Sequence, residues 1–305
     1  MWNHSCGNLP SVSPIAKRNG AIAKKQCDAN KIVDLMRELL LCPPDYYGIE
    51  YEINPWMSRA RGAEAALAQK QWKELHATLL KLDFKIHLVA PQPNLPDMVF
   101  TANAGLTVGR RFIPSNFRHK ERAGEAPHFA RWMEEHGYEI FWLPDSLYFE
   151  GEGDALFSVD ALFCGYKFRS DIQSHRAVAE ILGCLVISVE LVDPRFYHLD
   201  TCFCPLPDGG AVWFPAAFDE YGQRAIREHV PELIDVLPEE AMHFSCNAVV
   251  IERDIVLPEG APKLVATLVD RGYRCHELPM SEFIKAGGAC KCLTMFMPQR
   301  ETSKV

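Results

Sequence analysis

The stretch Asp154–Phe168, DALFSVDALFCGYKF, reads as two strand-like apolar runs joined by a short turn. A helix-like segment follows at Asp171–Leu182, and then a further extended run, CLVISVEL, at Cys184–Leu191. Strand, strand, helix, strand is one unit, and the chain repeats it. Helix-like segments recur at Arg59–Leu82, Gly124–His136, Asp219–His229 and Pro262–Arg271, at intervals of roughly forty to sixty residues. Each leads into a short extended run: FKIHLVAP, YEIFWLP, LIDVLP and YRCHELP. Pairs of strand-like runs precede all but the first helix, TCFCPLPDGGAVWF (Thr201–Phe214) among them with its PDGG turn. The missing pair can be made from LMRELLLCPP (Leu35–Pro44) and CKCLTMFM (Cys290–Met297), which would join the two ends of the chain. The expected fold class is therefore α/β, with five pseudo-repeated ββαβ units forming a five-bladed α/β propeller around a central pocket. The rival is an ordinary α/β sandwich with accidental spacing.

Composition bounds the function. The chain has 305 residues, 48% of them apolar, which is ample for a substantial core. A formal net charge of -8, without any Lys/Arg-rich block, argues against nucleic acid or an anionic membrane as a partner. No apolar run approaches the ~20 residues of a membrane span. The eleven cysteines are an odd number without disulfide-scaffold spacing, which points to a reducing compartment and a cytoplasmic location. Residues 1–32 are polar, basic and poor in acids, and are expected to form a poorly structured tail ahead of one domain at 33–305. A mitochondrial presequence is the rival reading of that tail.

Polar residues recur where strand-like runs begin or end: Asn54 in EINPWM, Asp97 and Asn103 in LPDMVFTANAG, Glu150 and Asp154 in FEGEGDALF, His198 and Asp200 in YHLDTCFCPL, and Cys292 in GGACKCLTM. Embedded in apolar sequence, each needs a partner or a purpose, because burying it unpaired costs a few kcal/mol. Two apart in a strand, His198 and Asp200 would share a face, as would Cys202 and Cys204 beyond them, and so would Cys290 and Cys292. Zinc is a weak alternative, since no second Cys/His pair of the right spacing accompanies HLDTCFC. A Cys-x-Cys disulfide is poorly placed geometrically. A thiol with a histidine base, flanked by acids, is suited instead to attacking the carbon of a planar cation, and a guanidinium fits that description. An aromatic could cover its face.

The motifs CPPDYYGIEYEINPWM, DMVFTANAG, FEGEGDALF, FYHLDTCFCPL and KAGGACKCLT resemble those of the guanidine-modifying pentein superfamily, which includes arginine deiminases, dimethylarginine hydrolases and amidinotransferases. The likeness runs from about Leu39 to the C-terminus and is closest to bacterial arginine dihydrolases. It implies the five-bladed pentein fold and hydrolysis of arginine to ornithine, carbon dioxide and ammonia, with neither metal nor organic cofactor. By the same resemblance Cys292 is the nucleophile, His198 the general acid/base and Glu150 its orienting carboxylate. Asp154 and Asp200 hold the guanidinium, and Asp97 and Phe100 line the substrate channel. Asn103 stands where deiminases and dimethylarginine hydrolases have an acid, and with Asn54 it marks the dihydrolase branch; a neutral amide both donates and accepts. Arg169 matches an arginine that binds the substrate carboxylate. Asn116 occupies the place of a second, leaving Arg118 or Arg122 to substitute. Cys290 reads as a small packing residue. The expected partner is a small molecule, arginine or a close derivative, and the oligomeric state is left open, a homo-oligomer included. Deiminase and dimethylarginine hydrolase are the enzymic alternatives, and a non-catalytic ribosome-binding pentein is the alternative from another class.

Overall fold

The computed structural model describes residues 37–297; the expected tail at 1–32 lies outside the described residues. The chain opens with β1 (Glu38–Leu41), α1 (Ala65–Lys81) and β2 (Lys85–Leu88). Next come β3 (Gly105–Val108), β4 (Arg111–Pro114), α2 (Ala126–Glu135) and β5 (Glu139–Ile140). The third unit is β6 (Ala155–Ser158), β7 (Ala161–Tyr166), α3 (Ile172–Leu182) and β8 (Leu185–Glu190). Then follow β9 (Phe203–Pro205), β10 (Ala211–Trp213), α4 (Glu220–His229) and β11 (Leu233–Asp235). The last full unit is β12 (Val249–Ile251), β13 (Asp254–Pro258), α5 (Pro262–Asp270) and β14 (Arg274–Leu278), after which β15 (Met295–Met297) ends the described chain.

These strands form five three-stranded sheets, each with an antiparallel pair and a third strand parallel to the middle one. Parallel neighbours cannot be joined by a hairpin, so a helix must cross over between them. The first sheet is built from both ends of the described chain, as the sequence suggests: Leu39 lies opposite Phe296 on the antiparallel side and opposite Ile86 on the parallel side. Middle strands are covered on both sides and read as apolar runs; every residue of β13 is buried, and all of β7 but Tyr166. In α1, Ala68, Trp72, Leu75 and Leu79 recur at helical spacing and face the core. Asp219 caps α4, accepting from Gly222 N at 2.7 Å.

Two local expectations fail. His198 and Asp200 do not lie in a strand: a 3₁₀ turn spans Leu199–Thr201, and β9 starts only at Phe203. Cys290 and Cys292 likewise sit in a turn ahead of β15. The backbone is satisfied locally in both places, where Thr201 Oγ1 donates to His198 O (2.6 Å) and Thr294 Oγ1 to Lys291 O (3.0 Å). Side chains two apart in these segments therefore point at different partners.

Candidate active site

Five polar turns lead into the first strand of each unit, and hydrogen bonds link them in a circle. Asn103 Nδ2 donates to Glu150 O (3.4 Å), Leu199 N to Asp154 Oδ1 (3.2 Å) and Asn247 Nδ2 to Asp200 O (3.0 Å). Cys292 N donates to Asn247 Oδ1 (3.0 Å), and Ala102 N to Cys292 O (3.1 Å). Residues almost two hundred positions apart in the chain thus share one buried neighbourhood.

Cys292, 3% exposed, donates its thiol to Asp200 Oδ2 at 3.2 Å and receives Asn247 Nδ2 at 3.0 Å. Asn247 Oδ1 already accepts from Ala289 N and Cys292 N, so its amide nitrogen must be the atom turned to the sulfur. Burial, and then the charge of Asp200, hold the thiol well above its ordinary pKa. Burial pushes Asp200 up to about 6, against the pull of Lys291 and the hydrogen bond from the Cys292 thiol. Asp200 Oδ2 faces the thiol, whereas nothing among the described residues donates to the buried Oδ1. An acceptor left unpaired in the interior beside a thiol is costly unless a ligand completes it.

His198 faces a carboxylate: Nε2 lies 2.8 Å from Glu150 Oε2, which also receives Arg169 Nη1 at 3.0 Å. Burial alone would raise Glu150, but Arg169 and His198 outweigh it and hold the carboxyl well below the usual range. An ionised acceptor fixes the tautomer, with the proton on Nε2 and the lone pair on Nδ1. Burial, opposed by Glu150, brings His198 down to about 4, so the resting ring is a neutral base. Glu150 is braced in turn, its N–H donating to Ser170 Oγ (3.0 Å) and that hydroxyl to Asp154 Oδ2 (2.6 Å).

Several residues expected to touch substrate have protein partners in the structure. Both oxygens of Asp154 accept from protein, Oδ2 from Ser170 and Oδ1 from Leu199 N, so it braces the turns that carry Glu150 and His198. Asn54 Oδ1 accepts from Trp56 N and Met57 N while Nδ2 donates to Ala286 O at 3.0 Å, which shapes its own loop against the Gly287–Gly288 segment. Arg169 is buried on Glu150, with its second nitrogen on Ile53 O (3.2 Å) and its guanidinium 4.5 Å over Tyr197. Arg118 is paired with Asp171, donates from Nε to Arg169 O (3.1 Å) and lies over Tyr148; its side chain is 30% exposed. Arg122 is buried on Glu125 and Asn103. Asn116, at the place of an expected arginine, donates to Asp145 O and Leu147 O.

Asp97 and Phe100 lie in the turns just ahead of Asn103. Asp97 is buried, with Oδ2 3.8 Å from Arg122 Nε and Oδ1 unpaired among the described residues. Phe100 lies against the Cys292 loop: a Cβ on Gly288 would fall 2.7 Å from the ring and 3.1 Å from Cys292 Cβ. Cys290 packs in the apolar core. Cys202 and Cys204 turn to the backbone carbonyls of Leu199 and Ala248. Among the described residues no group of three or more His, Cys, Asp or Glu is placed to hold a metal ion.

Asn247 is the residue that sequence reasoning misses. The signal was present: in FSCNAVV it stands two positions before β12, the same place that Asn103 holds before β3. Lys291 and Glu152 form a second overlooked pair, buried and 2.9 Å apart, tying the Cys292 turn to the Glu150 turn.

Five ββαβ units around a buried thiol, imidazole and carboxylates define the pentein class of proteins. A family model described as N,N dimethylarginine dimethylhydrolase, eukaryotic, matches residues 52–297, and the chain belongs to that family. It is 45% identical over 262 residues to the bifunctional arginine dihydrolase/ornithine cyclodeaminase ArgZ of Synechocystis sp., an overlap of 84% of this chain and 37% of ArgZ. The chain thus spans just over a third of the length of that curated relative. It is 38% identical over 259 residues to the N(G),N(G)-dimethylarginine dimethylaminohydrolase of Mycobacterium tuberculosis, covering 85% of each. Among solved structures, the N-terminal domain of ArgZ, a cysteine-to-serine mutant bound to substrate and described as an arginine dihydrolase, superposes with a TM-score of 0.83. That match has 44% identity and covers 86% of this chain and 98% of the domain.

Proposed function

We propose that this protein is an arginine dihydrolase, a hydrolase that converts arginine to ornithine, carbon dioxide and ammonia with Cys292 as nucleophile. The likeness to the ArgZ domain supports this reading, and the observation that carries it is the unpaired Asp200 Oδ1 beside the Cys292 sulfur. A guanidinium N–H completes that acceptor, and its charge offsets the cost of forming a thiolate next to Asp200. We read the five sheets as blades of a closed propeller, a view supported by the circle of hydrogen-bonded turns.

In the first cycle the sulfur attacks the guanidinium carbon, and the thiol proton passes through His198 to the departing nitrogen, which leaves as ammonia. Glu150 steadies the imidazolium while it exists. Water, deprotonated by His198 Nδ1, then attacks the S-amidino carbon; the C–S bond breaks, the thiol is restored and citrulline forms. In the second cycle Cys292 attacks the ureido carbon and expels a second ammonia. Hydrolysis of the resulting thiocarbamate gives a carbamic acid, which loses carbon dioxide to leave ornithine. Asp97 and Phe100 line the approach. No step calls on a metal or an organic cofactor.

A second reading, dimethylarginine dimethylaminohydrolase, is favoured by the family match and by the mycobacterial relative. Product analysis separates them. The wild type supplied with arginine is expected to release about two ammonia per ornithine, with little dimethylamine from dimethylarginine. Asn103→Asp is expected to shift product toward citrulline, because a carboxylate grips the cation and repels the neutral ureido oxygen. One ammonia with permanently accumulating citrulline would overturn the dihydrolase reading.

A further inference from the structure

Arg122 sits in the second unit, behind Asn103, with 3% exposure. Its Nε and Nη2 hold both oxygens of Glu125 at 2.8 Å, and Nη2 also reaches Asp97 O at 3.2 Å. The guanidinium lies 4.6 Å over the Phe117 ring. A bidentate, stacked arginine is fixed in place. Its remaining nitrogen, Nη1, stands 2.8 Å from Asn103 Oδ1.

An arginine has no lone pair to offer, so the Asn103 atom that faces it must be the oxygen. The amide nitrogen is thereby turned the other way, toward Glu150 O at 3.4 Å. There it lies against the His198 wall: a Cβ on Gly153 would sit 2.2 Å from Asn103 Nδ2 and 3.3 Å from His198 Cγ. Only glycine fits between the amide and the imidazole.

We propose that the Arg122–Glu125 pair is a positioning device that sets the substrate preference of the second cycle, by holding Asn103 so that it presents an N–H, not an acceptor, beside His198. This rests on the dihydrolase reading. A guanidinium consists of donors and gains nothing from that N–H, whereas a ureido group carries an oxygen that accepts it. The oxygen develops negative charge when sulfur attacks the ureido carbon, so the N–H contributes most in that step. Asn103 would touch the substrate; Arg122 and Glu125 act only through it.

The test is the ratio of kcat/KM for citrulline to kcat/KM for arginine, each supplied as sole substrate. The ratio is independent of how much of a variant is folded. In Arg122→Met/Glu125→Met, which removes both charges of the buried pair together, the amide is free to turn over. The ratio is then expected to fall by about tenfold, the worth of one hydrogen bond to a charged group. Arg122→Lys, which keeps one donor toward Asn103, is expected to retain a ratio between the two. Equal loss on both substrates would make the pair merely structural and overturn the inference, as would an unchanged ratio. A wild type that consumes arginine but no citrulline overturns the dihydrolase reading itself, and the inference with it.

Discussion

Cys292→Ser is expected to lose turnover of arginine by a factor on the order of 10³ or more, while Cys290→Ala keeps most of it. The two cysteines are one residue apart and both buried, so neither spacing nor exposure separates them. Their partners do: Cys292 Sγ is held between Asp200 Oδ2 and Asn247 Nδ2, whereas Cys290, in the same apolar cluster, makes no such contact among the described residues. A serine hydroxyl at 292 would retain those hydrogen bonds, yet it is far harder to ionise in a site that already disfavours the thiolate. Alanine at 290 replaces a small apolar group with another and costs packing alone. Steady-state rates and intact-protein mass after mixing with arginine measure the outcome. A mass gain on the wild type that is absent from Cys292→Ser is expected; comparable loss from both variants would sink the assignment.

Asp200→Asn is expected to lose activity by about 10²-fold or more and to gain stability at neutral pH. The activity loss follows from removing the one carboxylate, among the described residues, that touches the thiol and has an unpaired oxygen to offer a cation. For stability, the folded protein raises Asp200 from the ordinary 3.8 to about 6, so the fold binds its proton more tightly than the unfolded chain does. That proton-linked stability is complete below about pH 4 and is lost as pH rises through about 6. At pH 8 the ionised, fully buried carboxylate therefore costs on the order of 3 kcal/mol, which asparagine does not incur. Urea unfolding at pH 8 should show the variant more stable, with the advantage vanishing near pH 4. For the wild type, kcat/KM for arginine, which reports the free enzyme, should fall as pH drops through about 6. A variant less stable than wild type at pH 8 would show that the carboxylate contributes to the fold rather than straining it.

The boundaries of the helices were legible to within two residues, except that α1 begins at Ala65 rather than Arg59, because each buries one face against its sheet and the 3.6-residue period has to appear in the letters. The site was half legible. Cys292, His198, Glu150 and Asp200 stand out as polar letters in apolar runs, and the structure gathers all four. Asp154 and Asn54 stand out in the same way but are engaged in bracing turns, since a buried polar group looks alike in sequence whether it serves a ligand or its own backbone. Asn247 was overlooked because an asparagine in a turn is ordinary; only its place in the repeat distinguishes it.

What the sequence by itself determined is the repeat, the pairing of the two ends of the described chain in one sheet, and the chemical kinds of group available. These follow from local periodicity and from the cost of burying polar atoms, both of which act residue by residue. What only the tertiary structure decided is which group faces which: Glu150 on His198, Asn247 on the sulfur, Arg169 beneath Glu150, and Arg122 behind Asn103. Those pairings join different units through 3₁₀ turns and loops, where side-chain direction follows no strand alternation. They depend on the angle at which neighbouring units pack, and no local pattern encodes that angle.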